Sequence, residues 1–112
     1  MILDREHIIR CLTDNSRLFA DFSIVRIGLF GSYAQNRAHA QSDIDLVFEM
    51  QENQILSFKN RLKIENFLHS LFPHVSIDLV NLKYMNPLVR LEMDKNVIYV
   101  PTNANLVRTH HA

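Results

Sequence analysis

A chain of 112 residues with 47% hydrophobic and 21% charged side chains has the composition of one globular domain, with a single core and no room for a second. Its 12 basic and 12 acidic side chains cancel, which argues against a protein whose main work is gripping a nucleic-acid backbone. Cys11 is the only cysteine, so no internal disulfide is expected, and no segment approaches the roughly 18 consecutive apolar residues of a membrane span. Asp4, Arg5 and Glu6 precede any long apolar run, which is not the pattern of a signal peptide, and the cytoplasm is the expected compartment.

Asp4 is placed to cap a helix whose apolar positions Ile8, Leu12, Phe19 and Phe22 keep helical spacing. Asn15-Ser16 interrupts that face, so two shorter helices are the alternative. Ile24 to Phe30, rich in branched and aromatic residues, predicts a strand. Both glycines of the chain, Gly28 and Gly31, lie at its end, and a glycine inside a strand marks close approach of another backbone. Ser32 to Arg37 predicts a short helix with Ser32 as its N-cap, followed by a polar connector over Ala38 to Ser42. Asp43 to Glu49 predicts a second strand, with Ile44, Leu46 and Phe48 on one face and Asp43, Asp45 and Val47 on the other.

Gln51 to Gln54 reads as a polar turn, and Ile55 to Phe72 as the longest helix, apolar at Phe58, Leu62, Phe67, Leu68 and Leu71 and ended by Pro73. Its Lys59, Arg61 and Lys63 predict a solvated helix face. Val75 to Leu82 predicts a third strand carrying one acid, Asp78, between Ile77 and Leu79. Asn86-Pro87 has the form of a cap and first helical residue, opening a short helix to Lys95. Asn96 is the expected left-handed stop before a fourth strand, Val97 to Val100, closed by Pro101. Residues 102–112, polar apart from Leu106 and Val107, predict a loose tail after a domain of residues 1–101. The fold class is α/β (α+β): a small mixed sheet of about four strands backed by helices.

The chemistry concentrates in two short stretches. An apolar run ends abruptly at Gly31-Ser32, and the next begins with Asp43-Ile44-Asp45. In an extended strand Asp43 and Asp45 project the same way, about 7 Å apart, and two such carboxylates repel unless a cation neutralises them. All-oxygen ligation suits Mg²⁺ rather than zinc or copper. A Gly-Ser turn opening into a helix offers backbone N–H groups and a hydroxyl to a phosphate. Together these read as a metal–nucleotide site. The six histidines read as surface or structural, with none at zinc spacing from the cysteine, and no nucleophile has a convincing base partner for covalent catalysis.

Leu29-Phe30-Gly31-Ser32-Tyr33-Ala34 followed by Ser42-Asp43-Ile44-Asp45-Leu46 resembles the signature of the DNA polymerase beta-like nucleotidyltransferase superfamily. The chain is especially similar to its smallest members, the minimal nucleotidyltransferases paired with HEPN proteins in toxin–antitoxin modules. The resemblance runs from Ile24 to Val100. Family members often read Gly-Ser-Arg-Ala-Arg-Gly, and this chain departs from that at Tyr33, Gln35 and Asn36. Asn36 in place of glycine is mild, since Asn tolerates the left-handed conformation.

The resemblance implies a polymerase beta-like fold in which a third acid on the next strand, here Asp78, joins Asp43 and Asp45 as catalytic and metal-holding residues. Three carboxylates suit in-line nucleotidyl transfer by two Mg²⁺ ions, with ATP as substrate and Gly31 and Ser32 against its phosphates. It further implies an antitoxin that transfers AMP to a tyrosine hydroxyl of a cognate HEPN ribonuclease toxin (AMPylation) in a hetero-oligomer, without binding nucleic acid or membrane itself. The alternative from a different class is a non-catalytic antitoxin that neutralises its HEPN partner by binding only.

Overall fold

The computed structural model describes residues 3–104. Asp4 accepts a 2.9 Å hydrogen bond from the His7 backbone N–H and starts α1, Arg5–Asp14. The helix stops at Asn15, and α2, Ser16–Asp21, follows at once, so the interrupted apolar face does mark two helices. Ile8, Leu12 and Phe19 are buried from these two. Ser23, in the left-handed region at φ 66°, turns the chain into β1, Ile24–Phe30. A four-residue helix, α3 (Gly31–Ala34), and a connector lead to β2, Ile44–Met50. Ser57 caps α4, Phe58–Leu71, by accepting from the Asn60 N–H. β3, Ile77–Asn81, runs into a 3-10 turn over Leu82–Tyr84. Asn86 caps α5, Pro87–Met93, as the Asn-Pro pair foretold, and β4 is Ile98–Pro101.

The four strands form one sheet in the order β3-β2-β1-β4. β1 is antiparallel to both β2 and β4, while β2 and β3 are parallel, joined by the crossover helix α4 that a parallel connection requires. Register fixes the faces, because residues directly opposite one another point the same way. Ile27 lies opposite Phe48 and Val100, Leu29 opposite Leu46, and Leu46 opposite Leu79. This face meets Ile8, Leu12, Phe19, Ile64, Leu68 and Phe72 of the helical layer in the main core. Each such large apolar side chain, fully buried, stabilises the fold by roughly 1.5–3 kcal/mol. The other face is covered only in part: Val47, Leu82 and Met93 form a smaller core, with Phe30, Val97 and Tyr99 packed against it. The remainder of that face carries Asp45 and Asp78, directly opposite each other on β2 and β3.

Side chains add to the backbone pairing at both ends of the sheet. On β3 the Arg61 guanidinium donates to the Leu79 carbonyl, pairs with Glu65 at 3.6 Å and lies 5.8 Å from the Phe48 ring centroid. On the β4 side Pro101 has no N–H to offer, and just beyond it the Thr102 hydroxyl donates to the Ile24 carbonyl of the neighbouring β1. Thr102 and Ala104 are buried members of the packed body, although their place in the sequence predicts a tail; residues 105–112 of that tail lie outside the described residues.

Several expectations change. α4 begins at its Ser57 cap rather than at Ile55, and it turns Ile64 and Leu68 inward, leaving Phe58 77% and Leu62 43% exposed. Arg61 belongs to the sheet edge instead of a solvated face, whereas Lys59 and Lys63 are exposed as expected. Asn96 is not among the residues with positive φ, since α5 closes by hydrogen bonds from the Asp94 N–H to the Arg90 and Glu92 carbonyls. Gly28 marks a side chain, not a backbone: a Cβ there would stand 2.9 Å from the Tyr99 ring and 2.9 Å from Val97. Tyr99 is held in that place by Arg26, whose guanidinium lies 3.7 Å from the ring centroid and 2.6 Å from Glu49.

Candidate active site

β1 delivers the chain to Gly31, whose φ of 73° is left-handed and turns the backbone directly into α3. A Cβ on Gly31 would lie 2.1 Å from Asp45 Oδ2 and 3.0 Å from Asp45 Cγ. Only glycine combines that backbone angle with a carboxylate resting against the turn. Because the helix starts at Gly31, Ser32 falls inside its first turn, and the expected N-cap is not made: Phe30 occupies the cap position with no side-chain bond. The Ser32 hydroxyl, half-buried, bonds no other described residue. Tyr33 and Ala34 anchor the short helix in the core, and Arg5 donates to the Ala34 carbonyl at 3.2 Å. Tyr33 is thus buried, and Asn36 takes the left-handed conformation, φ 57°, that Asn tolerates better than most residues.

The connector closes on itself through the His39 N–H and the Ser42 hydroxyl, 2.9 Å apart, and the Ile44 N–H bonds Ser76 at 2.9 Å. β2 thus begins at Ile44, so Asp43 lies just before the strand and is exposed, while Asp45 is half-buried within it. Asp45 faces Phe30 on one neighbour and Asp78 on the other, strands about 4.8 Å apart. Burial first, then the charge of Asp78, then that of Asp43, raises the Asp45 carboxyl above the usual carboxylate range. None of the three is ion-paired with a described residue. The structure therefore places Asp45 and Asp78 side by side, with Asp43 near enough for its charge to be felt and Gly31 in direct contact.

Among the described residues no three His, Cys, Asp or Glu side chains form a ready metal cage. That does not disqualify Mg²⁺, which is commonly held by one or two carboxylates together with substrate phosphates and water. Two adjacent acids with no paired cation, one of them half-buried, are a donor set that this cation fits. The histidine reading needs one amendment: His7 and Cys11 meet on α1, with Nε2 3.6 Å from Sγ, although the described residues add no third ligand. His39, His69 and His74 are exposed.

Next to Gly31 a cleft of about 140 Å³ opens between α3 and α5, lined by Phe30, Gly31, Gln35, Val89, Glu92, Met93 and Asn96. Sequence reasoning missed the α5 side of it, since nothing in residues 86–96 signals that their helix crosses to the Gly31 end of the sheet. A larger cleft, about 760 Å³, lies between residues 49–56 and 81–84 and takes in none of Gly31, Ser32, Asp43, Asp45 and Asp78.

Residues 6–103 match the family model described as polymerase beta, nucleotidyltransferase. The chain belongs to the polymerase beta nucleotidyltransferase family. This nucleotidyltransferase is 34% identical over 80 residues to a candidate protein adenylyltransferase of Methanocaldococcus jannaschii, an alignment covering 70% of this chain and 79% of that protein. It is 28% identical over 100 residues to the protein adenylyltransferase MntA of Thermococcus cleftensis, covering 88% and 98% of the two chains. Among solved structures it is similar to a candidate minimal nucleotidyltransferase, with a TM-score of 0.68, 26% identity and 86% and 95% of the chains covered. It is also similar to a chain of a toxin–antitoxin crystallised with AMP-PNP, with a TM-score of 0.60, 27% identity and 87% and 72% coverage. The mixed α/β class with its four-stranded sheet agrees with the sequence reading. No helix among the described residues is long and apolar enough to cross a membrane.

Proposed function

We propose that this nucleotidyltransferase transfers AMP from ATP to a hydroxyl, of the tyrosine type, on a HEPN-domain toxin and so acts as its antitoxin. The observation that carries the reading is the pair of carboxylates opposed across β2 and β3, Asp78 and Asp45, the latter seated against Gly31. The name of the Thermococcus relative and the AMP-PNP-containing toxin–antitoxin structure support it. The partner and this chain work as a hetero-oligomer in the cytoplasm, and this chain itself grips no nucleic acid.

Asp43, Asp45 and Asp78 would hold Mg²⁺, which when bound supplies charge neutralisation for the triphosphate and lowers the pKa of the acceptor hydroxyl. Gly31 keeps the turn bare so that phosphate and carboxylate share the space, and the Ser32 hydroxyl with the first N–H groups of α3 holds phosphate oxygens. Asp78, exposed at the rim, accepts the proton of the attacking hydroxyl. The acceptor oxygen then bonds to the α-phosphorus as its bond to the bridging oxygen breaks, and pyrophosphate leaves. The test is incubation with labelled ATP, with and without Mg²⁺ and the partner, read by intact mass. Label on the partner only when Mg²⁺ is present supports the reading; an unlabelled partner under all conditions contradicts it.

A further inference from the structure

We infer that the cleft between α3 and α5 holds the adenine ring of the nucleotide, with Gln35 and Asn96 reading the edge that carries its amino group and N7. The inference rests on the nucleotide reading above and adds a base-recognition site to it. The cleft adjoins the phosphate end of the candidate site, because Phe30 and Gly31 line both. At about 140 Å³ it is well below the roughly 300–1,000 Å³ that encloses a whole drug-sized ligand, so it takes one part of a molecule. Its charge says which part. The one ionisable side chain on its wall is Glu92, paired with Lys95 at 3.0 Å, so no cationic side chain lines the cleft to receive a phosphate. The uncharged parts of a nucleotide, ribose and base, remain, and an apolar wall with two carboxamides suits the planar base.

The walls match such a ring. Phe30, Val89 and Met93 present apolar surface, Met93 from the buried side and Val89 from the open side. The Gln35 and Asn96 carboxamides engage no other described residue, so two donor–acceptor pairs stand free in one small space. A carboxamide offers an acceptor and a donor side by side, which complements the amino group and N7 of adenine. Where an oxygen replaces the amino group, as in hypoxanthine or guanine, both edge positions are acceptors and the paired contact is lost.

The experiment is calorimetry of the full chain with MgATP and with MgITP, for wild type, Gln35→Ala, Asn96→Ala and Val89→Arg. Wild type should prefer ATP by between about fivefold and about a hundredfold, the range of one good bidentate contact. Gln35→Ala or Asn96→Ala should lower ATP affinity, leave ITP affinity unchanged and so erase the preference. Val89→Arg, which fills the open wall, should weaken both nucleotides together. Equal binding of ATP and ITP by wild type, a preference kept in both alanine variants, or tight ATP binding in Val89→Arg would each overturn the inference. So would an effect of the alanine variants on the acceptor's KM alone, which would assign the cleft to the acceptor side chain. Absence of MgATP binding to wild type under any condition would instead overturn the nucleotide reading on which the inference stands.

Discussion

Replacing Gly31 with alanine tests whether the turn and the carboxylate are one device. Two costs act on the folded state. A non-glycine residue at a φ of 73° pays for a left-handed backbone, about 1–2 kcal/mol. The new Cβ also meets Asp45, 2.1 Å from Oδ2, 3.0 Å from Cγ and 3.2 Å from Cβ, so rotating the carboxylate alone does not clear it. Forcing Asp45 off its rotamer adds about 0.5–1.5 kcal/mol, for a total of about 1.5–3.5 kcal/mol. Gly28→Ala is the matched comparison. Its Cβ would press on the Tyr99 ring and Val97 at 2.9 Å, an overpacking cost of about 1–3 kcal/mol, but at a distance from the acids. Urea unfolding of metal-free protein gives the stabilities, and calorimetry with MgATP gives the affinity of the folded fraction. Gly31→Ala should lose at least tenfold in affinity beyond its loss of folded protein, whereas Gly28→Ala should lose only in proportion. If the two variants behave alike, Asp45 is not part of the nucleotide site.

The Asp45 carboxyl, raised by burial and by two neighbouring acids, makes a pH-dependent contribution whose sign is fixed. Raised in the folded state, it binds its proton more readily there than in the unfolded chain. Metal-free wild type therefore gains stability from this group as pH falls, fully so below the unfolded value of about 3.9, and loses it as pH rises through the raised value. Asp45→Asn should be more stable than wild type at pH 7 and lose that advantage by about pH 4, read from urea midpoints across the range. A variant less stable than wild type at pH 7 would contradict the crowding of charge at this site. Arg61→Ala should cost about 1.5–3 kcal/mol, the range for a hydrogen bond from a charged group, because it strips the Leu79 carbonyl at the sheet edge. Chemical denaturation checks this, and an unchanged midpoint would mean that the edge is satisfied by water.

Much of this was legible because it is short-range. The alternation in Ile44, Leu46 and Phe48 against Asp45 and Val47 fixes which face of β2 meets the main core and which carries the acid, and Asn86-Pro87 fixes where α5 begins. What failed depended on neighbours distant in the chain. Phe58 and Leu62 keep helical spacing as well as Ile64 and Leu68 do, and only the seating of α4 on the sheet decides which stripe turns inward. Ser32 lost its cap role because Gly31, at positive φ, enters the helix one residue early. Gly28 stands out by its position, yet its reason is Tyr99 on the last strand, far along the chain, and no local pattern announces that. Asp78 became a candidate through resemblance, and the register that sets it opposite Asp45 supplies a physical reason for it.

The central claim is that three carboxylates make this antitoxin-like domain an enzyme, and the double variant Asp43→Asn with Asp45→Asn tests it most directly. The substitution keeps side-chain volume, removes two charges and leaves the packed helical layer and the outer surface of α5 as they are. The measurement is the intact mass of the co-expressed partner, read beside survival of the cells that produce it. Wild type should add one or more AMP units and protect, while the double variant should still bind the partner but leave its mass unchanged and protect poorly. Full protection by the double variant, with the partner unmodified, would contradict the enzymatic account and leave neutralisation by binding alone.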